Sequence, residues 1–417
     1  MSEQDLIKQD IDGYLKRHYA KELLRFVTVG SVDDGKSTLI GRLLFDSGSV
    51  FDDQLAAIKK HQGSVGAGEV DYSLLLDGLL AEREQGITID VAYRYFSTDK
   101  RKFIIADTPG HVQYTRNMAT GASTADLGII LIDARLGVLP QSKRHAYIAS
   151  LLGIPHLVVC INKMDLVDYS QDVFEKIKKD FTPFLKTLNF SDAAFIPVSA
   201  LKGDNIVTQS GHTPWNKLGS LLHYLETVPI KKNISSNDFC LPVQYVIRPN
   251  LNFRGFAGTI AGGGVKKGDE VLVLPSGFKS KVKSIVTFDG EIEKAETPMA
   301  VTITLEDEVD VSRGAMLVHD KNSIHVTREI SAKVVWMSDT PLEKGRQYWI
   351  KHTSNLVTGI IENVDHIIDV ETLKPEPAQT LQLNDIAQVR ISLNRPLMVD
   401  LYKHNRFAGA FIVIDRI

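Results

Sequence analysis

Phe26-Val-Thr-Val-Gly30-Ser-Val-Asp-Asp-Gly-Lys36-Ser37 is the stretch on which the reading of this chain turns. The apolar run 26–29 reads as a buried strand, residues 30–35 as a glycine-bracketed turn, and a helix opens near Lys36. Gly30 and Gly35 permit the tight turn and the close approach of backbone to a polyphosphate. The helix N-terminus adds unpaired N–H groups and the positive end of its dipole. Lys36 is expected to reach the terminal phosphates, and the Ser37 hydroxyl to hold Mg²⁺. Ser31, Val32, Asp33, Asp34 and Thr38 complete the expected cradle. The pattern does not name the base.

A second strand end does. Leu157-Val-Val-Cys-Ile161 reads as a buried strand that runs into Asn162-Lys163-Met164-Asp165. A carboxylate at Asp165 can accept two N–H bonds from the edge of guanine, which adenine cannot offer, and an unpaired buried acceptor is costly. Asn162 is expected at the other polar edge of the base, with the Lys163 stem over its face. A third segment, Ser199-Ala200-Leu201-Lys202, follows the strand 194–198 and can bring the Ala200 N–H to the guanine carbonyl. The nucleotide expected is therefore GTP.

Between these lie two segments with switch character. Asp107-Thr108-Pro109-Gly110-His111 follows the apolar run 103–106. Asp107 is placed to join the Mg²⁺ shell and the Gly110 N–H to touch the γ-phosphate. Upstream, Glu82-Arg-Glu-Gln-Gly-Ile-Thr88-Ile-Asp90 offers the Thr88 hydroxyl as a Mg²⁺ ligand that would be released on hydrolysis. Phosphoryl transfer needs positioned water and stabilised charge more than covalent chemistry. His111 can orient that water, and with Lys36 it forms the expected catalytic pair.

Composition bounds the class. The 417 residues suggest about three domains, and 43% hydrophobic with 24% charged residues fits a globular chain. A net charge of −3 gives no overall basic field for nucleic acid. Lys100-Arg-Lys102 reads as a solvated hairpin. Cys160 and Cys240 are the only cysteines, which is too few for a disulfide framework or a zinc site. The polar N-terminus lacks a signal-type apolar core and no long apolar span occurs, so a cytoplasmic protein without a membrane partner is expected.

Residues 24–229 alternate buried strands with helical stretches, the pattern of a parallel α/β sheet, with the motifs at strand C-terminal ends. Ile7, Ile11, Tyr14, Leu15 and His18 recur at helical spacing ahead of it. After the polar linker 231–238 the period becomes two, as in Val301-Thr-Ile-Thr-Leu305 and Ala387-Gln-Val-Arg-Ile-Ser-Leu393. Glycines between Arg254 and Gly268 suggest hairpins and barrel corners. The expected plan is an α/β P-loop GTPase domain over 1–230 followed by two all-β barrel domains, over 238–326 and 327–417.

With these motifs in this order, the chain resembles the translation-factor superfamily of GTPases over nearly all its length. Within that superfamily it looks most like the GTPase subunits of bacterial sulfate adenylyltransferases. The residues that carry this are the run 30–44, the run Asp77-Gly-Leu-Leu-Ala-Glu-Arg-Glu-Gln-Gly-Ile-Thr-Ile-Asp-Val-Ala-Tyr-Arg-Tyr-Phe96, and the run 113–126. Asp34 stands where tRNA-delivering relatives usually carry His. The resemblance implies that Val32 and Ile87 flank His111 beside the γ-phosphate.

It also implies a nucleotidyltransferase activity shared between two chains. A smaller catalytic subunit of the ATP pyrophosphatase type would join ATP and sulfate into adenosine 5′-phosphosulfate and pyrophosphate, the first step of sulfate assimilation. GTP hydrolysis on this chain would drive that step, in a heterodimer or a higher complex. No Ser-Gly-Gly-x-Asp-Ser loop and no second Gly-Lys-Ser/Thr loop beyond Pro229 occurs, so adenylyl transfer is expected on another chain and no fused kinase is expected here. Two other readings stay open at this point: an elongation-type GTPase that carries aminoacyl-tRNA, and a GTP-sensing scaffold without useful turnover.

Overall fold

The computed structural model describes residues 13, 21–48, 72, 91–110, 115–230, 238–250 and 253–416. The expected N-terminal helix, the segment with Thr88 and Ile87, and His111 lie outside the described residues. The chain divides into two compact units, Met1–Ile230 with Asp369–Lys374, and Lys231–Ile368 with Pro375–Ile417.

The first unit is built on a six-stranded sheet. Its strands are β1 Glu22–Val29, β2 Ala92–Ser97, β3 Arg101–Asp107, β4 Leu127–Asp133, β5 His156–Asn162 and β6 Asp192–Pro197, in the spatial order β2-β3-β1-β4-β5-β6. Only β2 runs antiparallel, as the hairpin partner of β3; the others pair in parallel. Every residue of β4 and β5 is buried, which is why their sequences read as unbroken apolar runs. Helices α1 Lys36–Asp46, α2 Thr115–Ala122, α3 Pro140–Leu151, α4 Gln171–Leu185 and α5 Leu221–Thr227 follow strands along the chain. Leu39, Ile40, Leu43 and Leu44 recur on one face of α1 and join Leu24, Phe26, Phe103 and Ile105 in the core. Pro140 starts α3 at its first turn, where a missing N–H is harmless.

The order reverses around β1, between β3 and β4. That is the switch point at which an open α/β sheet leaves a crevice at its strand C-termini. The described motif segments of the first unit lie at this crest. The basic triplet differs from the reading above: Lys100 is exposed, but Arg101 is buried beneath α5.

The second unit is antiparallel. One sheet has eight strands between Cys240 and Val318, and another has six between His325 and Ile414. The strand Phe278–Thr287 alternates exposed and buried residues along much of its length, as a half-buried strand must. Each sheet has its own core, around Phe239, Phe256 and Ile303 in the first and Tyr348, Ile350 and Ile391 in the second. A small cluster with Cys240, Met316 and Met398 draws on both. Both cysteines are free and buried, as small apolar side chains are. Among the described residues, no helix is long and apolar enough to cross a membrane.

Candidate nucleotide-binding site

The loop after β1 is held by its own short-range bonds. Asp33 and Gly35 adopt left-handed backbone (φ 65° and 89°), which turns the chain into α1. A Cβ on Gly30 would press on the Leu131 carbonyl oxygen at 3.2 Å. Asp34 is buried, and its carboxylate accepts the Ser31 N–H inside the loop. Burial raises the Asp34 carboxyl above its usual range, against the pull of that hydrogen bond and of Lys36. Asp34, expected as part of the cradle, serves it as an internal strut.

Lys36 is buried, and its Nζ donates to the carbonyls of Gly30 (3.0 Å) and Ser31 (2.7 Å). Burial pulls the ammonium below its ordinary value, opposed by the charges of Asp34, Asp107 and Asp33. Ser31 Oγ is buried with no hydrogen-bond partner among the described residues. A polyphosphate fits this arrangement, because it brings acceptors for the Ser31 hydroxyl and the ammonium together. Val32 is exposed beside the loop, and Ser37 and Thr38 stand half-buried in the first turn of α1.

The loop after β3 closes on the same place. Asp107 ends β3, level with Thr28 of β1, and is buried. A Cβ on Gly110 would collide with Lys36 Nζ and meet the Gly30 carbonyl oxygen at 2.9 Å, so only glycine fits there. Thr108, expected in the contact set, has a structural task in its side chain. Its side chain is wholly buried and Oγ1 donates to the Thr28 carbonyl (2.7 Å), so it fastens the loop to β1. Pro109 is buried beside it.

On the base side, Asn162 is the joint. Its Nδ2 donates to the Asp34 carbonyl (2.7 Å), and its Oδ1 accepts the Ala200 N–H (2.9 Å). One amide thus ties the phosphate loop to both base-side segments. The Asn162 amide keeps a second N–H for the polar edge of a base, whereas the single Ala200 N–H, expected at a base carbonyl, is engaged by Asn162 Oδ1. The neighbouring Leu201 N–H donates to no group among the described residues. Met164 and Ser199 are also fully buried: Met164 packs in the core while its N–H donates to the Val198 carbonyl (3.2 Å), and Ser199 Oγ accepts the Lys202 N–H. Both shape their loops from within.

Lys163 adopts left-handed backbone (φ 61°), and its Nζ meets the Asp33 carbonyl and Asp133 Oδ2 (2.9 Å). Asp165 follows at the start of a short 3₁₀ turn, half-buried. Asp133 and Arg135 were not singled out by sequence. Arg135 grips Asp133 through Nε (3.0 Å) and Nη2 (2.7 Å). Burial alone would raise Asp133, but the bonds from Arg135 and Lys163 hold it at about 2. The signal was available: a carboxylate ending the wholly apolar β4, between two motif-bearing strands, needs a cation.

Residues 21–232 match the family model of the elongation factor Tu GTP binding domain, and residues 329–416 that of the GTP-eEF1A C-terminal domain-like family. The sulfate adenylyltransferase subunit 1 of Saccharophagus degradans is 57% identical over 420 residues, covering 100% of this chain and 89% of the relative. That of Alteromonas mediterranea is 56% identical over 418 residues, with the same coverage of 100% and 89%. The bifunctional enzyme CysN/CysC of Rhodopirellula baltica is 57% identical over 423 residues, covering 100% of this chain and 65% of the relative. A crystal structure of Sup35 complexed with GMPPNP aligns at a TM-score of 0.41 with 24% identity, over 100% of this chain and 96% of that one.

Proposed function

The chain belongs to the sulfate adenylyltransferase subunit 1 family, and on that premise we propose that its GTP hydrolysis drives the joining of ATP and sulfate on a smaller catalytic partner. The products there are adenosine 5′-phosphosulfate and pyrophosphate. The observation that carries this reading is the convergence of three loops on Asn162, in a chain whose whole length matches subunit 1 relatives. Those relatives favour it over an elongation-type factor.

The roles follow from the geometry. Gly30, Ser31, Val32, Asp33, Asp34 and Gly35 shape the phosphate cradle, and Lys36 turns from the loop carbonyls to the β- and γ-phosphates. Ser37 and Asp107, with Thr88, are the hard oxygen ligands that would hold Mg²⁺. Bound there, that ion would neutralise charge developing on the phosphates. Gly110 brings its N–H against the cradle, and His111 orients the attacking water. Asp165 reads the two N–H groups of guanine, and the 199–201 backbone meets its carbonyl. The second unit is read as two barrels, 238–326 and 327–417, because each sheet has a separate core.

Coupling would work through differential binding. The GTP state favours one geometry of the partner's active site, and hydrolysis relaxes it. The test is co-expression with a small subunit, followed by pyrophosphate release from ATP and sulfate. More product at equilibrium with GTP than with a non-hydrolysable analogue is expected. Equal product with both would reduce GTP to an allosteric activator. His111→Ala should lower hydrolysis about 10²-fold or more while GDP binding holds; near-normal turnover would favour a GTP-sensing scaffold.

A further inference from the structure

The base-side loop 199–204 is braced from two directions by side chains to which no nucleotide contact was assigned. Arg42 lies on α1, six residues after Lys36. Its Nη1 donates to the Leu201 carbonyl (3.1 Å) and its Nε to Asp46 Oδ2 (2.7 Å). Its Cζ stands 4.9 Å from the centre of the Tyr72 ring. The guanidinium also crowds Gly203, where a Cβ would meet Nη2 at 2.5 Å. Gly203 is left-handed (φ 87°), and its N–H closes the loop on the Ser199 carbonyl (2.8 Å).

The second brace is Asp204. Its Oδ2 accepts the Tyr169 hydroxyl (2.6 Å), its Oδ1 accepts Ser210 Oγ (2.6 Å), and His212 Nδ1 stands 3.3 Å from the same oxygen. Its carbonyl accepts the Ser199 N–H (3.2 Å). Tyr169 in turn belongs to the segment after Asp165. Asp168 and Tyr169 are consecutive left-handed residues, and the Tyr169 N–H donates to the Met164 carbonyl (2.8 Å).

These ties bear on one atom. The Ala200 N–H is taken by Asn162, whereas the Leu201 N–H is open and its side chain is 43% exposed, so packing does not fix it. We infer that Arg42 and Asp204 are positioning residues for guanine, holding the 199–201 backbone so that the Leu201 N–H meets the carbonyl oxygen of the base. Arg42 supplies this through a planar fork that a lysine cannot reproduce. The inference rests on the reading that this loop lies at the guanine carbonyl.

The experiment is equilibrium binding of GDP, IDP and 6-thio-GDP to the full chain. IDP keeps the carbonyl and lacks the 2-amino group, whereas 6-thio-GDP keeps the amino group and replaces the oxygen with a weaker acceptor. Arg42→Ala should weaken GDP about ten-fold, and Asp204→Asn about three-fold. Each penalty should be the same for IDP and clearly smaller for 6-thio-GDP. Arg42→Lys carries the same comparison should the alanine variant not fold. An equal penalty for all three ligands, or none, overturns the inference, because loosening of the whole site does not distinguish ligand atoms. Asp165→Asn separates the two levels. It should favour XDP, whose 2-carbonyl suits an amide donor, over GDP. If Asp165→Asn leaves the preference unmoved, the base-site reading itself falls. If it acts while the Arg42 penalty is uniform, only the positioning role falls.

Discussion

The two ends of the six-stranded sheet both carry buried charge, but they handle it in opposite ways. At the N-terminal end, Arg101 opens β3 and donates to the Leu225 and Val228 carbonyls (2.8 Å each) and to Glu22 Oε2 (2.8 Å). It caps the C-terminus of α5, where orphan carbonyls and the dipole both favour a cation. His156 and Asp192, opening β5 and β6, pair with each other, and Tyr224 of α5 donates to the same carboxylate. These ties use no left-handed residue. At the C-terminal end, Asp33, Gly35, Lys163, Asp168, Tyr169 and Gly203 are all left-handed. There Ser31 Oγ lacks a partner, and Lys36 rests on backbone carbonyls. Left-handed backbone therefore gathers where a ligand is to be received, whereas at the other end the charges are met by one another and by helix-end carbonyls, with His156 Nε2 left without a partner among the described residues.

Replacing the cation at each end separates the two designs. Lys36→Ala should lower GTP hydrolysis by about 10³-fold or more, because the terminal phosphates lose their buried charge. Without nucleotide its melting temperature should hold or rise, since a desolvated ammonium is removed from a loop that compresses it. A steep fall in melting temperature would show that Lys36 is structural in the empty protein. Arg101→Ala should do the reverse. It leaves two helix-end carbonyls unmet and should destabilise the protein by about 2–3 kcal/mol in urea unfolding. The GDP dissociation constant should stay within about two-fold of the parent, because no nucleotide loop touches this end. A ten-fold change in GDP affinity would mean that the two ends are coupled through the sheet.

The same contrast explains what could be read from sequence. Gly30, Gly35, Lys36 and Ser37 lie within eight positions, so spacing alone carried the phosphate loop. Buried strands announced themselves through the apolar runs of β4 and β5. Asn162 was legible as a motif residue, but its service to both Asp34 and Ala200 was not. That bond pattern depends on the order β1-β4-β5-β6, which only the fold supplies. Arg42 was invisible for a related reason: its partner Leu201 is 159 positions away, and an arginine on an amphipathic helix looks like a solvated charge. Arg101 misled in the same way, because three basic residues at a hairpin tip read as surface until α5 covers one of them. Local chemistry is written in spacing, whereas ties between loops are written in topology.

Each end holds a buried histidine, and His145 offers the mildest test of the comparison, through pH. His156 at the N-terminal end rests on the Asp192 carboxylate. His145, on α3, has only the Gln141 amide against Nε2 (2.9 Å), and its Nδ1 has no partner among the described residues. Burial drives the His145 imidazole down to about 3, helped by the nearby charges of Lys36 and Arg144. As pH falls below the ordinary value near 6.5, the unfolded chain takes up this proton before the folded one does. The stability is therefore complete above that pH and is lost progressively toward pH 3, by about 2 kcal/mol at pH 5. His145→Gln, which cannot titrate, should flatten the slope of unfolding free energy between pH 6.5 and 5. An unchanged slope would move the acid sensitivity elsewhere in the unit. Lys36→Ala should leave this slope nearly unchanged, because burial is the larger cause of the depression, persists in that variant and keeps the folded imidazole unprotonated down to pH 5. Removal of Arg101 should leave it untouched.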